Sequence, residues 1–534
     1  MRGGLLASFA LLALAPWTAA QTQTDSSATS LQRVRAIEIR AHDIFAPGDA
    51  RGLIPKVANG LHITTRPSIV RRELLIRPGD QYDSARVAET ERNLRALRVF
   101  RRVRVDSVRT DSGLVLRVTT QDAFSTRADA RIKVSGGSRT WSVALDELNL
   151  FGTATRLGVR YRKTPDRSAV LTQFQRQRLF ANRVGVTAFY DDRSDGRILY
   201  GSVDQPFFSL SSSSSWYASG EERDERVLRF FGGNPMARDT LSRRFWLGSA
   251  GVSFAPRAGP GGYLRWGVAA QVRRDDFAFE RREDTLANSV TGAVGGYVQW
   301  RAARFLVSSG FEGFGRDEDV DLSTLFHLGV YLTPKGLGYR EDGIVPNVTA
   351  RTGLGWRGGF ARLGVTALAR ITDAGVIDSG SVHVGSMVVL TPSPRQVAVL
   401  HASHGWQRNP VPGAEFDLGL DVGPRGFPTH AFTGDRAFFL TAEYRYTVTD
   451  NFLRSAGLGL AAFGDYGGAW YHGSPRRTGY ALGVGFRFGL TLATDLEPVR
   501  VDLARIGGSG IDKGRWEIAI GKGFVFNTSG RLDR

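Results

Sequence analysis

His401 and His404 stand three residues apart, the type of pair that can hold a metal ion. The segment around them reads as a β-strand, where positions i and i+3 point to opposite faces, so the two imidazoles do not converge on one ion. Gly507-Gly-Ser-Gly-Ile511 brushes the pattern of a nucleophilic serine elbow, but it lacks the glycine two residues after the serine and reads as a turn. The serine run 211–215 reads as a turn or strand edge. There is no cysteine, which removes thiolate nucleophiles, thiolate metal sites and disulfides together. No glycine-rich phosphate loop stands between a strand and a helix. What remains is Arg425, within Gly423-Pro-Arg-Gly-Phe427. A guanidinium is a planar fork of donors that keeps its proton, suited to bidentate pairing with a carboxylate and not to acid–base catalysis. Gly426 lets the chain turn tightly beside it, and Phe427 can pack on a wall. This is the chemistry of bracing and recognition. No enzyme activity, metal or cofactor is expected.

The scaffold that must hold this arginine is 534 residues long, with 70 Lys+Arg against 52 Asp+Glu and a formal net charge of +18. Sixty-four glycines, without a collagen period, indicate many turns and strands with small side chains. The charge is spread: residues 31–123 carry 18 basic and 11 acidic side chains, and the rest of the excess is dispersed over the following four hundred. A nucleic-acid surface shows a clustered stripe on a recognisable module, and none is present. Met1-Arg2 followed by the apolar run Leu5 to Ala15 and the small residues Ala19-Ala20 reads as a signal peptide over residues 1–20, with 21–30 as a linker. No later stretch of eighteen apolar residues occurs, so an exported chain of this kind is either soluble outside the cytoplasm or crosses a membrane as a β-barrel.

Residues 31–123 read as a small α/β module. Val34 to Ile39 alternates as a strand, Ser68 to Ile76 suits a short helix, and Asp83 can cap a second helix from Ser84 to Leu97. Val103 to Val108 and Leu114 to Thr119 follow as two strands about a turn at 111–113. From residue 124 to residue 534 the periodicity is two. Ala128, Ala130, Ile132 and Val134 share one face while Arg127, Asp129, Arg131 and Lys133 share the other, and Phe438 to Tyr446 repeats the pattern. Short turns (149–153, 179–182) alternate with longer polar stretches (222–240, 276–288, 406–435), as in an outer-membrane barrel whose arginines line a wet interior. The fold expected is mainly β: an antiparallel transmembrane β-barrel of about sixteen strands after a small α/β domain.

Four motifs occur in order. Gly423-Pro-Arg-Gly-Phe427 resembles the (V/I)RG(F/Y) loop motif of the BamA/TamA (bacterial surface antigen) superfamily of outer-membrane assembly and translocation proteins. Phe463-Gly-Asp-Tyr-Gly467 resembles its F-x-D-x-G strand motif. Glu147-Leu-Asn-Leu-Phe-Gly152 looks like its turn near the barrel start, and Trp516 to Phe524 like its closing strand. The resemblance implies that the module is a single POTRA-like periplasmic domain. It implies a lumen loop motif at Arg425, Gly426 and Phe427 paired with a strand motif at Phe463, Asp465 and Gly467, with Arg425–Asp465 as an ion pair. It implies a seam at Trp516, Ile518, Ile520, Gly521 and Phe524. The function it implies is assembly, insertion or translocation in the cell outer membrane, with the lipid bilayer and an unfolded barrel or secreted client as partners. A dedicated secretion pore or lipid transporter, and a structural surface-antigen barrel, are the alternatives.

Overall fold

The computed structural model describes residues 32–526 apart from 46–58, 61, 112, 180–182, 210–211, 232, 237–239, 260, 281–288, 315–316, 421, 453–455 and 492–496. The signal-peptide and linker expectations (1–20 and 21–30) lie outside the described residues. Val34–His42 runs parallel to Gly113–Asp122, which pairs antiparallel with Phe100–Thr110, so the third strand is central. Helices Pro67–Glu73 and Ser84–Ala96 bury Val70, Val87 and Leu94 against this sheet. The second begins at Asp83, whose carboxylate accepts the backbone N–H groups of Ala85 and Arg86 at 2.8 and 3.2 Å and so satisfies donors that the helix leaves orphaned.

The remainder is a closed barrel of twenty antiparallel strands, running from Thr126–Ser135 to Ile511–Lys522. The expectation of about sixteen is therefore corrected. Its error came from assuming long loops wherever polar residues cluster. Several connections take only two residues (136–137, 194–195, 357–358, 394–395, 509–510), and residues 222–345, which include two of the polar stretches, hold the strands Leu241–Gly259, Gly262–Phe279, Ser289–Ala302 and Thr324–Leu332 complete. Alternation places Trp141, Val143 and Leu145 on the exposed exterior, while Ala144 and Asp146 of the same strand are buried inside. Exposed Trp216, Trp266, Trp300 and Trp356 lie toward one end of their strands and Trp141, Trp246, Tyr480 and Trp516 toward the other, two aromatic girdles about an apolar band. This is the exterior of a membrane-spanning barrel.

The module docks at one end of the barrel through the 148–154 turn. Asn149 Nδ2 donates to Thr65 Oγ1 (2.9 Å), and Arg66 N–H donates to Gly152 O (2.9 Å). A Cβ on Gly152 would come within 2.6 Å of Thr64 O, which is why only glycine admits the module this close. Among the described residues, three segments enter the lumen. The loop 409–435 enters from the far end, while the hairpin Phe305–Ser309/Asp317–Asp321 and the tail 523–526 belong to the module end. Together with the wall they form one apolar cluster that includes Phe311, Phe360, Phe427, Phe432, Phe439 and Phe526.

Candidate functional site

The loop 409–435 is drawn together at its base by pairing of Phe416–Leu418 with Phe432–Gly434, which projects Arg425 toward the wall. Gly426 takes φ +85° there, and a Cβ on it would meet Ile506 Cγ2 at 2.6 Å. Phe427 is buried, packs on Phe432 with ring centroids 5.0 Å apart, and covers the space that Gly479 leaves by having no side chain.

Arg425 is 2% exposed and meets its partners edge-on. Its Nε donates to Asp465 Oδ2 at 2.7 Å and its NH2 to Asp465 Oδ1 at 2.8 Å, a bidentate fork, and its backbone N–H also reaches Asp465 Oδ2 at 3.0 Å. NH1 donates to Glu443 Oε2 at 2.6 Å and lies 3.6 Å from Asp502 Oδ2. The guanidinium rests 3.4 Å above the Phe463 ring, which in turn fills the space over Gly483. Gly467 permits Phe439 to pack close, since a Cβ there would be 3.0 Å from Phe439 Cδ2. These positions are neighbours because register sets Thr441 opposite Asp465, Phe463 opposite Gly483, and Gly485 opposite Asp502 across four consecutive strands.

The site extends beyond the residues read from the sequence. Glu443 also pairs with Arg445 (2.5 Å) and Arg487 (3.2 Å), and Asp502 pairs with Arg487 (2.6 Å) and Arg500 (2.8 Å). Four arginines thus share three carboxylates in a wall where an unpaired charge is costly. The available signal was spacing: Glu443/Arg445 and Arg500/Asp502 are two apart, hence on one face of a strand. Each of the three carboxylates is taken up by arginine, and among the described residues no group of three or more His, Cys, Asp or Glu could hold a metal ion.

The seam residues fall in three places. Trp516 and Ile518 face outward and are exposed, and Gly521 faces inward, leaving space for Arg500, whose NH2 would lie 2.9 Å from a Cβ there. Ile520 is opposite Val134, and this is the single facing pair recorded between last and first strands among the described residues. Other neighbouring strands share seven or more facing pairs, as for Trp141–Glu147 with Leu157–Lys163 and Leu325–Leu332 with Ile344–Arg351. Lys522 Nζ adds an ion pair to Asp129 at 2.9 Å. Phe524 is a correction: the strand ends at Lys522, and the chain turns inward at Gly523 (φ +63°), carrying Phe524 into the lumen and not along the seam.

Beyond Arg425 the loop crosses this seam. Gly426 lies against Ile506 and Glu517 on the last two strands, Pro428 abuts Gly136 in the first hairpin turn, and Thr429 N–H donates to Ser138 Oγ at 3.1 Å. His430 bridges Asp417 of the loop and Asp166 of the 164–167 turn at 2.5 and 2.9 Å, stacked on Phe230. Burial alone would lower the His430 pKa, but hydrogen bonds to Asp166 and Asp417 and their charges outweigh it and raise it to about 9. A raised folded-state value means that this bridge lends its full stability below the free imidazole value of 6.5 and loses it as pH rises through about 9. Protease cleavage within 409–435 is therefore expected to accelerate across that window, and His430→Gln should remove the pH dependence. A cleavage rate flat with pH in the unaltered protein would refute the bridge.

No protein-family model matches the chain. A stretch of 139 residues is 30% identical to the outer membrane protein assembly factor BamA of Neorickettsia risticii, covering 24% of this chain and 18% of that protein. The chain thus spans about a fifth of the length of the curated relative it matches. Among solved structures, CdiB from Escherichia coli aligns over 93% of this chain and 77% of its own at a TM-score of 0.49 and 11% identity. BamA from Haemophilus ducreyi lacking POTRA domains 1–3 aligns over 92% and 85% at a TM-score of 0.39 and 10% identity. The chain resembles BamA/TamA-type outer-membrane barrel proteins.

Proposed function

We propose that the chain resides in the outer membrane and inserts or translocates protein clients there, its module acting as a POTRA-like docking domain in the periplasm and its seam as the exit. The observation that carries this reading is the seam. With Val134 opposite Ile520, continuation of the antiparallel register would set Ile132 against Lys522 and Ala130 against residue 524, yet the chain has turned away at Gly523. The edge of Thr126–Arg131 is left without a strand partner on that side among the described residues, and an open edge templates pairing with an incoming strand. Loop, hairpin and tail inside the lumen favour this lateral route over a permanently open pore. Arg425, Gly426 and Phe427, with Phe463, Asp465 and Gly467, brace the loop that spans the two sides of the seam.

The test is insertion of a urea-denatured model barrel into liposomes that contain the purified protein. Insertion should be faster than into lipid alone, and a rate equal to that of empty liposomes would overturn the proposal.

A further inference from the structure

The connection from Ser289–Ala302 to Thr324–Leu332 occupies residues 303–323, whereas other connections at the same end, 357–358 and 394–395, close in two residues. Strand topology does not require its length. It folds back as an antiparallel hairpin whose tip is tied by Glu318, the carboxylate accepting backbone N–H groups of Phe311 (3.0 Å), Glu312 (2.9 Å) and Gly313 (2.8 Å). Both ends of the hairpin have seats cleared by glycine. At its base Leu322 lies over Gly353 and Gly355, where a Cβ would come within 2.7 and 3.0 Å of it. At its tip the Phe314 ring occupies the space above Gly457 and Gly489. Four of the twenty strands separate these two seats around the wall, so the hairpin runs as a chord over part of the module-side mouth of the lumen.

The tail holds it there. Phe524 lies between Phe311, 5.3 Å between ring centroids, and the Arg445 guanidinium, 3.7 Å above its ring. Phe526 stacks on His401 at 4.1 Å with planes 8° apart. Arg445 is itself held by Glu443, the carboxylate that grips Arg425, so the tail rests on the same charged wall as the loop from the far end.

We infer that hairpin 303–323 and tail 523–526 form a two-part internal gate across the module-side mouth, and that the tail couples this gate to the seam. The tail is the direct continuation of the last strand. Outward displacement of that strand withdraws Phe524 from Phe311 and Phe526 from His401, and the hairpin loses the packing on that side of its tip. The coupling, though not the gate, rests on the seam reading above.

Conductance of the full chain in planar bilayers tests both parts. Replacing 303–323 by an Asn-Gly turn, and separately Gly457→Val, which denies Phe314 its seat while keeping the hairpin, should each raise conductance severalfold, with heat-modifiable gel migration confirming folded barrels. Phe524→Ala/Phe526→Ala should raise it as well. Conductance unchanged in both hairpin variants overturns the gate. Open hairpin variants beside an unaltered Phe524→Ala/Phe526→Ala variant overturn the coupling. If the gate opens as stated but the protein does not accelerate client insertion, the proposed function fails and the gate stands.

Discussion

Arg425→Ala lowers the stability of the barrel by about 3–5 kcal/mol, the usual consequence of stripping one partner from a buried charge set. The magnitude follows from what is left behind. Asp465 loses a bidentate fork, Glu443 loses its 2.6 Å contact, and both remain in a wall where Asp465 is 3% and Glu443 5% exposed. Arg425→Lys does not rescue it, because an ammonium is a single point of charge and cannot span Asp465 and Glu443 together. Asp465→Asn is milder, since Glu443 and Asp502 still neutralise the guanidinium. Urea unfolding in detergent reads these effects, and a double-mutant cycle of Arg425→Ala with Asp465→Ala should show a coupling of about 1–3 kcal/mol. Strict additivity of the two substitutions would mean that the pair is not the brace. Because the loop also touches Gly136 and Ser138 beyond the seam, Arg425→Ala should expose residues 409–435 to protease as well.

The parts of this architecture that the sequence disclosed are those written in local periodicity. Arg127 to Val134 alternates because one face meets water and the other lipid, and that binary pattern survives without knowledge of any neighbour. Asp83 announces its helix for an equally local reason. Strand number was not legible, because a turn such as Gly136-Gly137 leaves no polar stretch to mark it, and 305–309 and 317–321 are strands that belong to an inward hairpin and not to the wall. The Arg425–Asp465 pairing was legible only through family resemblance: forty residues separate the two, and it is loop topology that brings them together. Arg445, Arg487, Arg500 and Asp502 went unassigned because membership in the network depends on which strands are adjacent. Phe524 was read as continuing its strand since it stands at the same parity as Trp516, Ile518 and Ile520, and the departure lies in one backbone angle at Gly523.

A disulfide between Val134→Cys and Ile520→Cys abolishes client insertion, and reduction restores it. The two residues face each other in register, at a spacing antiparallel pairs share with disulfides, and the chain has no other cysteine to interfere. The control is a second bridge, Val143→Cys with Tyr161→Cys, another in-register pair within the wall, between strands that share seven consecutive facing pairs. A barrel that works by stiffening or by conducting through its lumen treats the two bridges alike. A barrel that works by parting its first and last strands is stopped by the first bridge and indifferent to the second, because only the first covalently replaces the weakest pairing in the ring. Equal insertion rates for the two oxidised variants would exclude lateral opening. Loss of insertion with the seam bridge alone, reversed by reductant, would tie the single Val134–Ile520 pair to the passage of clients. It would also account for a last strand that turns into the lumen at Gly523: full pairing along Thr126–Arg131 would close the edge that an incoming strand needs.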